Sequence, residues 1–200
     1  MDGDTMNMYK KDKLILVDCD GVLVDWAYSF DCWMEARGYE LTDENHYDVA
    51  KRYGIPRHVT KSLVRDFNES AAIGFLPPLR DAVYYIKKLH KEHGFVFHCI
   101  TSLSLDKYAG KLRKRNLEML FGETVFDEVI CLDCGADKEK ALRKYADTGC
   151  YWVEDKVENA EEGLLHGLDS ILVAHDHNAN YEGEIPRYWK WKHIYEHITN

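Results

Sequence analysis

Two carboxylates stand two positions apart at the end of the first apolar run of the chain, Leu14-Ile-Leu-Val-Asp18-Cys-Asp20-Gly21-Val-Leu-Val-Asp25-Trp26. Carboxylates so placed offer hard oxygens to a divalent cation. One of them can also attack phosphorus while the other exchanges protons. Gly21 permits a sharp turn behind the pair. A polar strand end with an ordinary turn would explain the glycine, but not two acids delivered by four aliphatics. Asp2-Gly-Asp4 repeats the letters without an apolar run before it and reads as tail. The C-x-x-C spacing of Cys131 and Cys134 has no second pair and no zinc-type histidine spacing after it, so it reads as coincidence. His175-Asp-His177, with no further ligands at metal spacing, reads as a solvated pair.

Two acids at a working site need a strand to carry them and a cleft in front of them. Besides Leu14–Val17, strand-like apolar runs lie at Phe95–Ile100, Glu128–Leu132, Tyr151–Val153 and Ser170–Val173. Near-continuous apolar runs suit strands buried on both faces, as in a parallel sheet. Segments of helical period separate them. Leu79, Ala82, Val83, Ile86 and Leu89 repeat between Pro77-Pro78 and Gly94. Tyr108, Ala109, Leu112, Leu117 and Leu120 suggest a second helix, although Asn116 interrupts its apolar face. Ala141, Leu142 and Tyr145 mark a third, and Ala160, Leu164 and Leu165 a fourth. The alternation predicts a doubly wound α/β fold built of βαβ units, in which ligands bind beyond the carboxyl ends of the strands. Residues 26–77 break the alternation: Trp26, Phe30 and Trp33 fall on one helix face, and Ala50–Tyr53 and Val59–Phe67 suggest further short helices. They are expected to form a helical cap inserted after the first strand, with residues 1–25 and 78–200 as the core. Tyr188–Ile198 is expected to be a closing helix packed on the sheet.

Composition bounds the partners. The chain has 200 residues, 26 Lys+Arg against 35 Asp+Glu, and a net charge of −9, so it is not built to coat a nucleic-acid polymer or an anionic membrane. The six cysteines are too few for a disulfide scaffold and, with no membrane-spanning run and no leader-like start, suggest a reduced, cytoplasmic protein. Phosphate chemistry on so acidic a chain must come from a local site.

The Asp18–Leu23 segment resembles the first motif of the haloacid dehalogenase superfamily of phosphohydrolases, in which apolar residues precede Asp-x-Asp-Gly-x-Leu. Other motifs of that superfamily occur in order: Thr101-Ser102 ends the second apolar run, Lys138 stands near a helix start, and Glu154-Asp155 ends the fourth run. Asn159 stands where the family has a further acid. The resemblance implies a Rossmann-like core and phosphatase activity. Asp18 would be the nucleophile and Asp20 the acid–base. Mg²⁺ would be held by Asp18, the Asp20 carbonyl and Asp155, with Glu154 supporting Asp155 or replacing it, and Thr101 and Lys138 would cradle the phosphoryl group. The chain is most similar to the 5′(3′)-deoxyribonucleotidases, through Asp-Gly-Val-Leu-Val-Asp25-Trp26, Gly74-Phe-Leu-Pro-Pro-Leu79, Thr101-Ser102, Asn178 and Arg187. That likeness implies nucleoside monophosphates as substrates, with Trp26 stacked on the base and Ser102 also at the substrate. Trp26 as cap core is an equal reading, and for Phe30 and Trp33 the cap core is the better one. A sugar phosphate, a 3′-phosphate end or a non-catalytic phosphoryl-binding role are the competing functions.

Overall fold

The computed structural model describes residues 13–43 and 46–200; the Asp2-Gly-Asp4 segment lies outside them. Six parallel strands form one sheet in the order β3-β2-β1-β4-β5-β6. They are β1 (Leu14–Val17), β2 (Val96–Ser102), β3 (Phe126–Leu132), β4 (Tyr151–Glu154), β5 (Asp169–Val173) and β6 (Arg187–Tyr188). The helices are α1 (Trp26–Glu35), α2 (Val49–Arg52), α3 (Arg57–Asn68), α4 (Ala82–His93), α5 (Lys107–Phe121), α6 (Glu139–Leu142), α7 (Val157–Leu165) and α8 (Trp191–Thr199). No described helix is long and apolar enough to cross a membrane.

Every residue of β1 is buried because both faces of the sheet are covered. Ile15 and Val17 point into a core shared with α4, α5 and α8. Leu14 and Leu16 point the other way, against Ala141, Leu142 and Tyr145 around α6. This two-sided burial is what unbroken apolar runs require. Gly94 ends α4 at φ +73°, a left-handed cap that suits glycine. Helices α1, α2 and α3 all fall between β1 and β2, as a helical insertion after the first strand. Asp25 caps α1 by accepting from the Tyr28 N–H at 3.1 Å.

Four details depart from the sequence reading. Leu164 and Leu165 are 44% and 80% exposed, because α7 turns Ala160 and the side-chain-free Gly163 toward the sheet instead. Tyr108 is exposed, whereas Arg113 and Asn116 are buried on the inner face of α5. The third helix is a single turn followed by a 3-10 turn at Arg143–Tyr145. The closing helix starts only at Trp191, because Arg187 and Tyr188 pair with β5 as a short edge strand too brief to show a period.

Candidate active site

In the strand order β3-β2-β1-β4-β5-β6 the connections leave β1 on one side and arrive at β4 on the other, so the switch point lies between these neighbours. Asp18 directly follows β1, Glu154 ends β4 and Asp155 directly follows it. The Asp18 N–H donates to the Val153 carbonyl at 2.9 Å, which holds the two strand ends side by side. Asp18, Glu154 and Asp155 are all buried, and each offers a carboxylate oxygen within 4.8 Å of the others. Lys138, in the turn before α6, has its Nζ 2.6 Å from Asp18 Oδ1 and 2.9 Å from Glu154 Oε2. Burial works against the ammonium, but the charges of Asp18 and Glu154 outweigh it and raise its pKa.

The two acids at the carboxyl end of β4 are not equivalent. Glu154 spends both oxygens inside the protein: Oε2 on Lys138, and Oε1 on the Asn159 amide at 2.8 Å and the Lys156 N–H at 3.3 Å. Burial, and then the charge of Asp18, push its pKa up to about 7. Asp155 is likewise raised well above the usual carboxylate range, by burial and by the charges of Glu154 and Asp18. The His177 ring nitrogen Nε2 lies 3.4 Å from its Oδ2, and burial lowers the pKa of that ring. Three buried carboxylates share one ammonium, so the donor set of hard oxygens fits a small divalent cation. Gly21 leaves space for the Asp155 carboxylate. Its φ is +76°, and a Cβ there would lie 2.5 Å from Asp155 Oδ2. A second group, Glu139, Glu162 and His166, also clusters, but Arg143 pairs with Glu139 and His166 with Glu162.

Asp20 faces a partner that sequence reasoning missed. Arg113 of α5 has Nη1 2.6 Å from Asp20 Oδ1, and its Nη2 donates to Oδ2 at 3.1 Å. Nη1 also donates to Cys19 Sγ at 2.8 Å. The Arg113 side chain is 0% exposed, whereas that of Asp20 is 25% exposed. Burial raises the Asp20 pKa, Arg113 opposes it, and Asp18 adds to the rise. The signal in the sequence is a cation on the buried stripe of a helix, four residues after Ala109 and four before Leu117.

Thr101 is fully buried, and its hydroxyl has no hydrogen-bond partner among the described residues. Ser102, in contrast, donates to the Ala136 carbonyl at 2.8 Å and so ties β2 to the loop that carries Lys138. Trp26 is half-buried. Its ring stacks on Phe30 at 4.6 Å and meets Phe67 edge-on, while its Nε1 donates to Asn68 Oδ1 at 2.9 Å. One face of Trp26 is therefore taken by the cap's own aromatic cluster. Asn68 in turn donates to the Leu103 carbonyl at 2.9 Å, and Ser104 to Glu69 at 2.6 Å, which docks the end of α3 on the loop after β2.

The histidine pair is not the solvated loop that its sequence suggests. The His175 ring nitrogen Nε2 lies 2.7 Å from the Gly21 carbonyl, and His177 Nε2 lies 2.9 Å from the Asp155 carbonyl. Burial lowers the His175 pKa to about 4. Tyr47, from the segment before α2 and itself exposed, lays its ring 4.1 Å from His177. Tertiary folding brings these residues over the acids; nothing in their local pattern announced it. Asn178 donates to the Asp155 carbonyl at 2.7 Å and accepts from Arg187 at 3.3 Å, so the C-terminal segment also braces the site.

No protein-family model matches the chain. A stretch of 137 residues is 28% identical to an uncharacterized 32.4 kDa protein from the Gp30-rIII intergenic region of Enterobacteria phage T4. That match covers 65% of this chain, which spans about half of its relative's length (48%). Among solved structures, a haloacid dehalogenase-like family hydrolase from Streptococcus pneumoniae superposes with a TM-score of 0.66 at 13% identity, over 94% of this chain and 99% of that one. A HAD-hydrolase from Bacillus subtilis bound to magnesium gives 0.59 at 13%, over 96% and 100%. CbbY from Rhodobacter sphaeroides in complex with phosphate gives 0.57 at 17%, over 88% and 92%. The sheet order, the inserted helices and these superpositions together show that the chain shares the α/β fold of these haloacid dehalogenase-like proteins.

Proposed function

We propose that the chain hydrolyses a small phosphomonoester through an aspartyl-phosphate formed on Asp18. The observation that carries this reading is the meeting of Asp18, Lys138, Glu154 and Asp155 at the switch point, with Asp20 two residues beyond the nucleophile. An Asp18 oxygen bonds phosphorus, and the bond from phosphorus to the leaving alcohol breaks. Asp20 gives that oxygen a proton, then takes one from the water that attacks the aspartyl-phosphate. Lys138 orients Asp18 and offsets phosphoryl charge, and Thr101 supplies a hydroxyl with no competing bond. Asp18 and Asp155, with the Asp20 carbonyl, would hold Mg²⁺, which supplies electrostatic stabilisation of the phosphoryl oxygens. Glu154, bound on both oxygens, serves as the anchor of Lys138. B. subtilis HAD-hydrolase with magnesium and CbbY with phosphate, although their likeness is one of fold, are compatible with this assignment.

The finer reading is a 5′-nucleotidase acting on (deoxy)nucleoside monophosphates, with the Trp26 face not taken by Phe30 stacked on the base; base–aromatic stacking is worth about 1–3 kcal/mol. The test is phosphate release from a panel of nucleoside monophosphates and sugar phosphates, with Mg²⁺ and with chelator. Mg²⁺-dependent release by the wild type, lost in Asp18→Asn by about a thousandfold or more, is expected. Equal release from both proteins sinks the phosphatase reading, and preference for sugar phosphates over every nucleotide sinks only the role of Trp26.

A further inference from the structure

We propose that Arg113 is a positioning residue that fixes the carboxylate of Asp20 for proton transfer. The inference rests on the phosphatase reading for its kinetic consequences, but not for its geometry. Arg113 is wholly buried on α5, and its guanidinium meets both oxygens of Asp20 and the thiol of Cys19. Its Nε has no hydrogen-bond partner among the described residues. A buried charge is a poor way to tie a helix to a sheet, because well-packed apolar residues of similar volume do so equally well or better. What the guanidinium adds is direction. The planar guanidinium donates from Nη2 to Oδ2 and from Nη1 to Cys19, with Nη1 in charge contact with Oδ1, and so holds the acid from two fixed points, which an ammonium does not. The exposures show the same division. Arg113 grips from inside the protein, while the side chain of Asp20 remains one-quarter exposed.

In the first step Asp18 bonds phosphorus, the phosphorus–oxygen bond to the alcohol breaks, and the Asp20 proton passes to that oxygen. In the second, water bonds phosphorus, the bond from phosphorus to Asp18 breaks, and a water proton returns to Asp20. Both transfers need Asp20 within hydrogen-bond reach of a moving oxygen, so an unfixed carboxylate slows both without altering how the phosphate is bound.

The test compares Arg113→Met and Arg113→Lys with the wild type, in crystals and in Mg²⁺-supplemented kinetics. In the crystal structure of Arg113→Met the Asp20 carboxylate is expected to leave its wild-type position; an unmoved Asp20 overturns the proposal whatever the activity. In kinetics, kcat for alkyl phosphates is expected to fall about tenfold or more with KM within twofold, and Arg113→Lys to recover part of the loss. The initial burst of p-nitrophenolate from p-nitrophenyl phosphate is expected to survive, since that leaving group needs no proton. Loss of the p-nitrophenolate burst in step with the alkyl-phosphate rate, or unchanged kcat for alkyl phosphates, overturns the proposal. In an Asp20→Asn background Arg113→Met is expected to cost nothing further, and a further tenfold loss also overturns it. Should Arg113→Met fold poorly, Arg113→Lys carries the crystallographic and leaving-group comparisons. Equal inertness of wild type and Asp18→Asn would instead reject the phosphatase reading, while the crystallographic comparison still decides the placement of Asp20.

Discussion

Replacing Lys138 with methionine removes the one ammonium among three buried carboxylates and keeps most of the side-chain volume. Its Nζ lies 2.6 Å from Asp18 and 2.9 Å from Glu154, and the side chain is 2% exposed. Breaking a buried ion pair by removing one partner costs about 3–5 kcal/mol, because the other charge stays buried without compensation. For a chain of this size each kcal/mol lowers Tm by about 2–4 °C, so Lys138→Met is expected to melt about 6–20 °C below the wild type in chelator. A cation binding the same acids takes over part of the ammonium's task. Mg²⁺ should therefore raise the Tm of the variant more than that of the wild type, by up to about 4 kcal/mol in stability at a thousandfold excess over Kd. Thermal melts of both proteins, with chelator and with a Mg²⁺ series, supply the comparison. A variant within about 2 °C of the wild type in chelator would refute the placement of Lys138 as the charge that neutralises the cluster.

Other perturbations test neighbouring parts of the argument. Gly21→Ala puts a Cβ 2.5 Å from Asp155 Oδ2 at a φ of +76°, so it should weaken Mg²⁺ binding measured by calorimetry and cost at least about 1–2 kcal/mol in denaturant melts. Gly163→Ala drives a methyl to 2.5 Å from both Ser170 Oγ and Trp152 Cδ1; a loss of about 1–3 kcal/mol is expected from urea unfolding, with the metal site unchanged. Glu154 has a folded pKa of about 7 against an ordinary 4.5, so the folded state binds the extra proton between these values. Its stabilising contribution is complete below about pH 4.5 and is lost as pH rises through 7. The urea midpoint of metal-free wild type relative to Glu154→Gln should accordingly fall between pH 5 and 8; a rise across that window would contradict the burial of Glu154. Asn159→Asp exchanges the amide that donates to Glu154 at 2.8 Å for a second carboxylate, and should lower the metal-free Tm while Mg²⁺ recovers part of it.

Much of the core was legible along the chain. Strands buried on both faces are largely apolar, so β1, β2, β4 and β5 stand out as near-continuous apolar runs, with His98 and Ser170 as buried polar interruptions. An acid pair placed directly after such a run cannot enter the core and must emerge at the strand's carboxyl end, which is why Asp18 and Asp20 could be singled out from local pattern alone. Lys138, Thr101 and Glu154-Asp155 were reached through motif order, which reflects one strand end after another.

The tertiary structure decided whatever depends on which surfaces meet. Leu164 and Leu165 lie outward because a glycine, not a leucine, lets α7 approach Trp152 and Ser170. Asn178 braces Asp155, and His175 and His177 cover the turn and the acid, because the loop after β5 returns over the ends of β1 and β4. Glu154 and Asp155 are adjacent in sequence and chemically alike, yet only packing gives the first an ammonium, an amide and an N–H and leaves the second open to a cation. Arg113 is the sharpest case. A lone cation on a helix's apolar stripe acquires meaning only when the sheet brings Asp20 to it, because a charge survives burial where an opposite charge is already waiting.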